Sequence, residues 1–220
     1  MIRSYFGFEP LEYLVREKAV LEIGCGAGQS SVILFGASDF LGIDIDNEAV
    51  STATASLTTA CRRFIFDDIR ESQLDTDRFD VTVFMNSLHH IPSSDMSHAI
   101  AEAIRVTNSG GILVFVEPAF DGSLFEAEKR FNCIDGDERT CKVAAYKTIL
   151  SCDPKYEVDE FFADTYFQFD SMGDFIAFTK PRGKGILQDC ENFLANHDFC
   201  LHARRRINIV KNHRWNIFNA

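Results

Sequence analysis

The feature that most constrains this chain is an apolar strand that runs directly into a glycine-rich turn. Residues 20–28 read Val-Leu-Glu-Ile-Gly-Cys-Gly-Ala-Gly, with Glu22 near the end of the strand and Gly24, Gly26 and Gly28 at alternate positions after it. Glycine adopts a positive φ without strain and carries no Cβ, so the main chain of such a turn can approach a ligand closely. We predict a cofactor-binding turn here, with a helix that starts directly after it.

The turn departs from the fingerprint of dinucleotide-binding folds at two positions. That fingerprint requires a third glycine where this chain has Gln29, and Glu22 would repel a diphosphate. An acid beside a glycine turn suits a ligand with a cationic group instead. The sequence therefore disfavours a dinucleotide.

Polar residues follow four later apolar segments in the same way. Residues 39–44 end in Asp44, twenty residues after Gly24, where nucleoside-binding doubly wound folds place the carboxylate that binds the ribose hydroxyls. The bland alternative for Asp44 is a helix cap, and Asp46 or Asn47 is the expected cap of a helix over 48–60. The other three segments are 62–66 before Asp67-Asp68-Ile69, 79–85 before Asn86-Ser-Leu-His-His, and 110–116 before Glu117.

In this order the motifs resemble those of class I S-adenosylmethionine-dependent methyltransferases, over residues 19–118. The resemblance implies S-adenosylmethionine as cofactor, with Asp44 on the ribose, Ile45 against the adenine, and Asp68, which aligns better than Asp67, at the adenine amino group. Cys25 can also be read as merely a small residue within the turn. The residues assigned to the cofactor are Glu22, Gly24, Cys25, Gly26, Gly28, Asp44, Ile45, Asp68, Ile69 and Asn86.

Helical segments alternate with the strands, most clearly at 46–60 and 92–106, as a parallel sheet with crossover helices requires. The predicted fold class is α/β, as one domain over residues 1–220 with room for one helix at about 10–16. The resemblance implies a doubly wound, Rossmann-like, seven-stranded sheet whose last strand is antiparallel and lies between the fifth and sixth.

Residues 119–156 form a helical insertion between the fifth and sixth strands. Because ligands in open parallel sheets sit beyond the carboxyl ends of the strands, where this insertion emerges, we predict a cap or lid. Its aromatic residues either line an apolar substrate pocket or pack the insertion onto the domain, and the 21 phenylalanines of the chain favour packing. These aromatic residues are Phe120, Phe125, Phe131 and Tyr146.

Methyl transfer from a sulfonium asks for alignment of the reactants, and for a base only when the nucleophile must lose a proton. His89 and His90 follow the fourth strand, as in similar Leu-His-His runs of small-molecule methyltransferases, and Glu117 ends the fifth strand at the same edge. We take these three residues as candidate catalytic residues. The alternative is that the histidines brace the loop by hydrogen bonding.

The composition of the chain limits the classes of partner that it can be expected to bind. Lysine and arginine total 22 against 33 aspartate and glutamate, and a net charge of -11 disfavours a nucleic acid and leaves a small-molecule acceptor. The basic run Arg204-Arg-Arg206, with Lys211 and Arg214, is interpreted as internally paired. Seven scattered cysteines indicate neither disulfides nor a metal site, and no apolar stretch reaches about 20 residues, so no membrane span is predicted. A cytoplasmic protein, with a homodimer as one possibility, fits these features.

The sequence therefore predicts methyl transfer to an oxygen, nitrogen or carbon atom of a small molecule. Neither an Asn/Asp-Pro-Pro-Tyr motif after the fourth strand nor a Pro-Cys nucleophile is present. Two alternatives stay open. One is a non-catalytic relative that binds the cofactor in a regulatory role, and the other is an aminopropyl transferase that uses the decarboxylated cofactor.

Overall fold

The computed structural model describes residues 2–6, 9–134, 136–182 and 187–212, and a single mixed sheet runs through it. The strands follow the order β1-β7-β8-β6-β5-β2-β3-β4 across the sheet. In chain order they are β1 (Ile2–Phe6), β2 (Ala19–Ile23), β3 (Asp39–Asp44), β4 (Arg62–Phe66), β5 (Phe79–Met85), β6 (Thr107–Pro118), β7 (Tyr156–Phe169) and β8 (Cys200–Asn212).

The topology is that of a doubly wound sheet. Strands β4, β3, β2, β5 and β6 run parallel, and β8 lies antiparallel between β6 and β7, as predicted. The chain order reverses at β2, which pairs with both β3 and β5, and ligands of such sheets bind at the carboxyl ends of the strands beside this point. Strand β1 adds an eighth, unpredicted edge strand, antiparallel to β7.

Helices cover both faces of the sheet. They are α1 (Glu9–Val15), α2 (Asn47–Leu57), α3 (Met96–Val106), α4 (Ser123–Phe131), α5 (Arg139–Leu150), α6 (Met172–Thr179) and α7 (Leu187–Ala195). Short 3-10 turns occupy Ser31–Leu34 and Leu88–His90. Within the described ranges, none of these helices is long and apolar enough to cross a membrane.

Two predicted helix starts are wrong. No α-helix follows the glycine turn, because only residues 29–38 connect it to β3 and they form the 3-10 turn at Ser31–Leu34. Helix α3 begins at Met96 rather than at position 92, since the Asp95 amide donates to the Pro92 carbonyl in a tight turn. The expected cap of α2 is confirmed: Asp46 accepts the Glu48 and Ala49 amides at 2.9 and 3.1 Å.

Burial of apolar side chains packs the helices on the sheet and leaves the carboxyl ends of the central strands open. Helices α1 and α2 pack on one face of the sheet, and α3 and α5 pack on the other through residues such as Ala103 and Ile149. A third cluster joins α4, α6 and α7 to the long strands β7 and β8 around Phe131 and Phe175. The carboxyl ends of β2, β3 and β5 stay open between these layers, and the candidate site lies there.

Candidate active site

The three glycines of the turn differ in what a side chain at their position would contact. All three have positive φ, at 78° for Gly24, 52° for Gly26 and 83° for Gly28. A Cβ on Gly24 would lie 2.4 Å from the Ser87 Cβ, which cannot move away without the backbone, so glycine is required there for packing. A Cβ on Gly28 would lie 2.3 Å from the Leu57 Cδ1, the end of a flexible side chain, so its positive φ is the stronger reason for glycine there. A Cβ on Gly26 would meet nothing within 4 Å. Gly26 is therefore the glycine that leaves room for a ligand.

A cavity of about 390 Å³ opens beside Gly26 at the ends of β2, β3 and β5. Asp44 faces it and is held by two backbone amides, since Oδ2 accepts the Gly26 amide at 2.7 Å and Oδ1 accepts the Asp46 amide at 2.9 Å. A carboxylate offers about four acceptor positions, so two remain for ligand hydroxyls. The main lining residues are Gly24, Gly26, Asp44, Ile45, Asp67, Asp68, Ile69, Arg70, Asn86, Ser87 and His90.

The far end of this cavity carries an ion-pair network that the sequence did not suggest. Arg70 donates to both Asp68 carboxylate oxygens, with Nη2 2.6 Å from Oδ2, and its Nη1 donates to Asp95 Oδ2 at 2.8 Å. The hydrogen bond from Arg70 is the main reason that the Asp68 pKa lies below its usual value. Asp67 accepts the Ser72 hydroxyl at 2.6 Å. The network fixes Asp68 as an ionised acceptor at the cavity wall.

Some residues predicted to bind the cofactor lie behind the turn rather than at the cavity. Glu22, Cys25 and Gly28 are not among the described residues that line it. Glu22 is buried and accepts the Ser31 hydroxyl, and burial, helped by the negative charge of Asp44, raises its pKa to about 7. Cys25 is buried in the core, which raises its thiol pKa. These three residues support the turn from its packed side.

The two histidines have different surroundings. His89 is buried, and its Nδ1 contacts Oε2 of Glu117, whose Oε1 accepts the Leu88 amide at 3.0 Å. His90 is half-exposed and lines the cavity. Of the three candidate catalytic residues, His90 lines the first cavity, whereas His89 and Glu117 are buried and contact each other.

Glu138, at the start of α5, reaches back to both histidines. Its carboxylate oxygens lie 3.6 Å from His89 Nε2 and 3.6 Å from His90 Nδ1, and Lys142 Nζ lies 3.4 Å from Oε2. Ligand atoms of His89, His90 and Glu138 fall within 4.8 Å of one another, as a metal site would need, but the Lys142 ammonium already supplies a cation to that carboxylate.

The sequence assigned no role to Glu138. It belongs to the charged run 135–139, a pattern that is typical of a solvated turn. Glu138 departs from this pattern, because its carboxylate lies 3.6 Å from a ring nitrogen of each histidine. Asp135 lies outside the described residues.

A second cavity of about 540 Å³ adjoins the first at Asn86, which lines both. Asn86 directly follows β5 and has a φ of 53°. Its backbone amide donates to the Val116 carbonyl at 2.7 Å, and its side-chain Oδ1 accepts a hydrogen bond from Arg205 Nη1 at 2.9 Å. The other lining residues are Glu12, Gln29, Ser30, Val32, Ile33, Met85, Val116, Thr165, Phe167, Phe178 and Arg205. The two cavities thus share Asn86 as part of their walls.

The insertion packs on the domain through its aromatic residues. Phe131 is buried against Phe193, and Tyr146 lies under the Arg206 guanidinium at 3.7 Å. Phe120 and Phe125 contact each other at a shallow cavity elsewhere, which His197 and His202 also line. None of these four rings is among the described residues that line the two cavities beside the turn, which agrees with the packing interpretation.

The basic run at the end of the chain is only partly paired internally. Arg206 lies 3.6 Å from Glu160, and Lys211 lies 2.6 Å from Asp159, as predicted. Arg205 instead faces the second cavity. Arg214 lies outside the described residues.

Residues 20–111 match the family model described as a methyltransferase domain, and they contain the glycine turn, Asp44, Asp68 and both histidines. Residues 20–111 thus match a methyltransferase domain, and they carry the motifs that resemble those of S-adenosylmethionine-dependent methyltransferases. S-adenosylmethionine is accordingly its cofactor and methyl donor. No curated protein matches this methyltransferase significantly.

Solved structures share the fold of this methyltransferase at low identity. The YcgJ protein of Bacillus subtilis has a TM-score of 0.60 and 15% identity, with 93% of this chain and 97% of that chain covered. An S-adenosylmethionine-dependent methyltransferase of Methanosarcina mazei has a TM-score of 0.58 and 17% identity over the same shares. The [4+2]-cyclase SpnF has a TM-score of 0.56 and 18% identity, with 92% and 78% covered. At such identities the likeness concerns the fold alone.

Proposed function

We propose that this methyltransferase transfers a methyl group to an oxygen, nitrogen or carbon atom of a small-molecule acceptor. The observation that carries the proposal is the pair of cavities that meet at Asn86. One holds the acids and the open glycine that fit a nucleoside ligand, and the other offers about 540 Å³ of space next to it. A volume of this size suits a small molecule.

The first cavity fits the cofactor on two counts. Gly26 leaves open space where any other residue would place a Cβ, and Asp44 is fixed by two amides with acceptor positions to spare. In this proposal Asp44 accepts the ribose hydroxyls, and Ile45, which is 62% exposed, covers the adenine. Asp68 and Ile69 complete the adenine end, and Gly24 and Asn86 flank the methionine end.

The bound cofactor supplies a methyl group on a sulfonium, and the protein then has to align the acceptor and exclude water. His90 is the proposed group that receives a proton when the acceptor must lose one, because it lines the cofactor cavity. Glu117 and His89 are positioning residues in this scheme, since their mutual contact and the Leu88 amide hold the loop that carries His90.

The net charge of -11 further supports a small acceptor over a nucleic acid, because a polyanion would be repelled. The test is a crystal structure with S-adenosylhomocysteine. We expect its sulfur to point at the second cavity beside Asn86. Binding of the decarboxylated cofactor in preference to S-adenosylmethionine would favour aminopropyl transfer, and cofactor binding without methyl transfer to any small molecule of a cell extract would favour a regulatory relative.

A further inference from the structure

We infer that Arg205 anchors a carboxylate of the methyl acceptor, so that the substrate of this enzyme is a small organic acid with an apolar body. The inference rests on the proposed function and deepens it, because it names the chemical class of the acceptor. It is carried by the position of Arg205, by its contacts and by the lining of the cavity that it faces.

Arg205 is placed at the inner edge of the second cavity by strand pairing. It lies opposite Pro118 of β6 and Ala163 of β7, at the end of β8 that borders the carboxyl ends of the parallel strands. Its guanidinium reaches Asn86 Oδ1, which belongs to the wall shared with the cofactor cavity. A group bound to Arg205 therefore lies next to the methyl donor.

The contacts of Arg205 within the described chain are to neutral oxygens. Nη1 donates to Asn86 Oδ1 at 2.9 Å, and Nε donates to Thr165 Oγ1 at 3.5 Å. The carboxylates of Glu117 and Glu128 influence the guanidinium only through longer-range electrostatic attraction. Glu117 contacts His89, and Glu128 forms an ion pair with Lys142.

The two neighbouring arginines show the contrast. Successive side chains of a strand point to opposite faces of the sheet, so Arg204 and Arg206 point to the face opposite Arg205, away from the second cavity. Arg204 covers the Phe162 ring at 5.1 Å, and Arg206 covers the Tyr146 ring at 3.7 Å and lies 3.6 Å from Glu160. Arg205 is the arginine of this run that faces ligand space.

An arginine held this way favours an anion. Burial lowers the pKa of Arg205 because the charged form has lost hydration that its neutral partners do not replace. A planar carboxylate restores that interaction with two parallel hydrogen bonds, which a guanidinium is shaped to give.

The remainder of the cavity indicates the body of the acid. Val32, Ile33, Met85, Phe167 and Phe178 contribute apolar surface, whereas Gln29 and Ser30 add neutral polar groups. Glu12 is exposed at the rim, where solvent screens its charge. An aromatic or branched acid would place its ring among the apolar residues and its carboxylate on Arg205.

The test compares benzoate with benzamide, which have the same shape and differ in charge. Calorimetric titrations use the wild type, Arg205→Met, Arg205→Lys and the matched control Arg204→Met, each with and without S-adenosylhomocysteine. We expect wild type and Arg204→Met to bind benzoate at least about tenfold more tightly than benzamide. This is the affinity ratio that one hydrogen bond between charged groups contributes. Arg205→Met should lose this preference and Arg205→Lys should keep part of it.

Three outcomes would overturn the inference. They are equal or absent binding of acid and amide to wild type, an acid preference that survives Arg205→Met, and a loss of S-adenosylhomocysteine affinity in Arg205→Met. The last would mean that Arg205 binds the carboxylate of the cofactor itself. The titrations without S-adenosylhomocysteine measure the preference for benzoate over benzamide independently of cofactor binding. Failure of S-adenosylhomocysteine to bind the wild type would therefore count against the proposed function and not against the role of Arg205.

Discussion

The Gly26 amide and the Asp44 carboxylate are joined by a 2.7 Å hydrogen bond across the ends of two neighbouring strands. This bond ties the glycine that leaves space for a ligand to the acid that faces the same cavity. The turn after β2 and the end of β3 are therefore one unit, and substitutions of Gly26 and Asp44 should affect cofactor binding more than folding.

Replacing Asp44 by alanine should weaken S-adenosylhomocysteine binding by about 1.5–3 kcal/mol, the range for hydrogen bonds to a charged group. Calorimetry measures the affinity. Asp46→Ala is the matched control, because Asp46 caps α2 and should cost about 1 kcal/mol of stability without changing affinity. If Asp44→Ala lowers only the melting temperature, Asp44 is a structural residue and its assigned role is wrong.

Gly26→Ala should abolish cofactor binding while the fold survives. The new Cβ meets no protein atom, so the cost to stability is the strain of a positive φ, about 1 kcal/mol. Gly24→Ala should instead destabilise the protein strongly, since its Cβ would lie 2.4 Å from the Ser87 Cβ. Thermal melts with and without S-adenosylhomocysteine separate the two effects. If the ligand still raises the melting temperature of Gly26→Ala, Gly26 does not provide the space for the cofactor that we assign to it.

Glu22→Gln should change how stability depends on pH. The folded-state pKa of Glu22 is raised from 4.5 to about 7, so between these values the native state holds a proton that the unfolded chain releases. The Glu22 contribution is therefore present below pH 4.5 and is lost as pH rises through 7, by an amount on the order of 3 kcal/mol. Glutamine stays neutral, so the variant should gain stability relative to wild type from pH 5 to pH 8 in urea unfolding. Parallel pH profiles would show that Glu22 titrates normally.

His90 and His89 should separate into a functional and a structural residue. His90→Ala should lower labelled methyl transfer to the small-molecule fraction of a cell extract by on the order of a hundredfold, with S-adenosylhomocysteine affinity nearly unchanged. His89→Ala removes the histidine partner of the buried Glu117, which keeps only the Leu88 amide, and should cost about 3 kcal/mol of stability. Equal losses of cofactor affinity in both variants would make both histidines braces of the cofactor loop.

If residues 119–156 act as a lid, trypsin should cut at the exposed Arg139 in the free enzyme and more slowly in the complex with S-adenosylhomocysteine and benzoate. Mass spectrometry of the fragments gives the rate at this site. Helix α5 is anchored by the buried Ala145 and Ile149, so the connection between α4 and α5 is where we expect the change. Equal rates in both states would make the insertion a fixed cap.

Local patterns accounted for the parallel half of the sheet and for the cofactor end of the site. The glycine spacing, the acids at strand ends and the helix between β3 and β4 are short-range signals, because turn conformation and capping depend on neighbouring residues. The same locality explains why the helix after the turn was wrongly expected. Its absence depends on how soon β3 begins and on Ser31 giving its hydroxyl to Glu22.

The sequence by itself determined the fold class, and it indicated Gly26, Asp44 and His90, which all line the first cavity. Only the tertiary structure decided which residues reach the second cavity and the two histidines. Arg205 lies 119 residues from Asn86 and Glu138 comes from an insertion, and such contacts form only when the sheet brings β8 and α5 to the ends of the parallel strands. A run of three arginines cannot reveal that its middle member faces a cavity, because that depends on the register of β8 against β6 and β7.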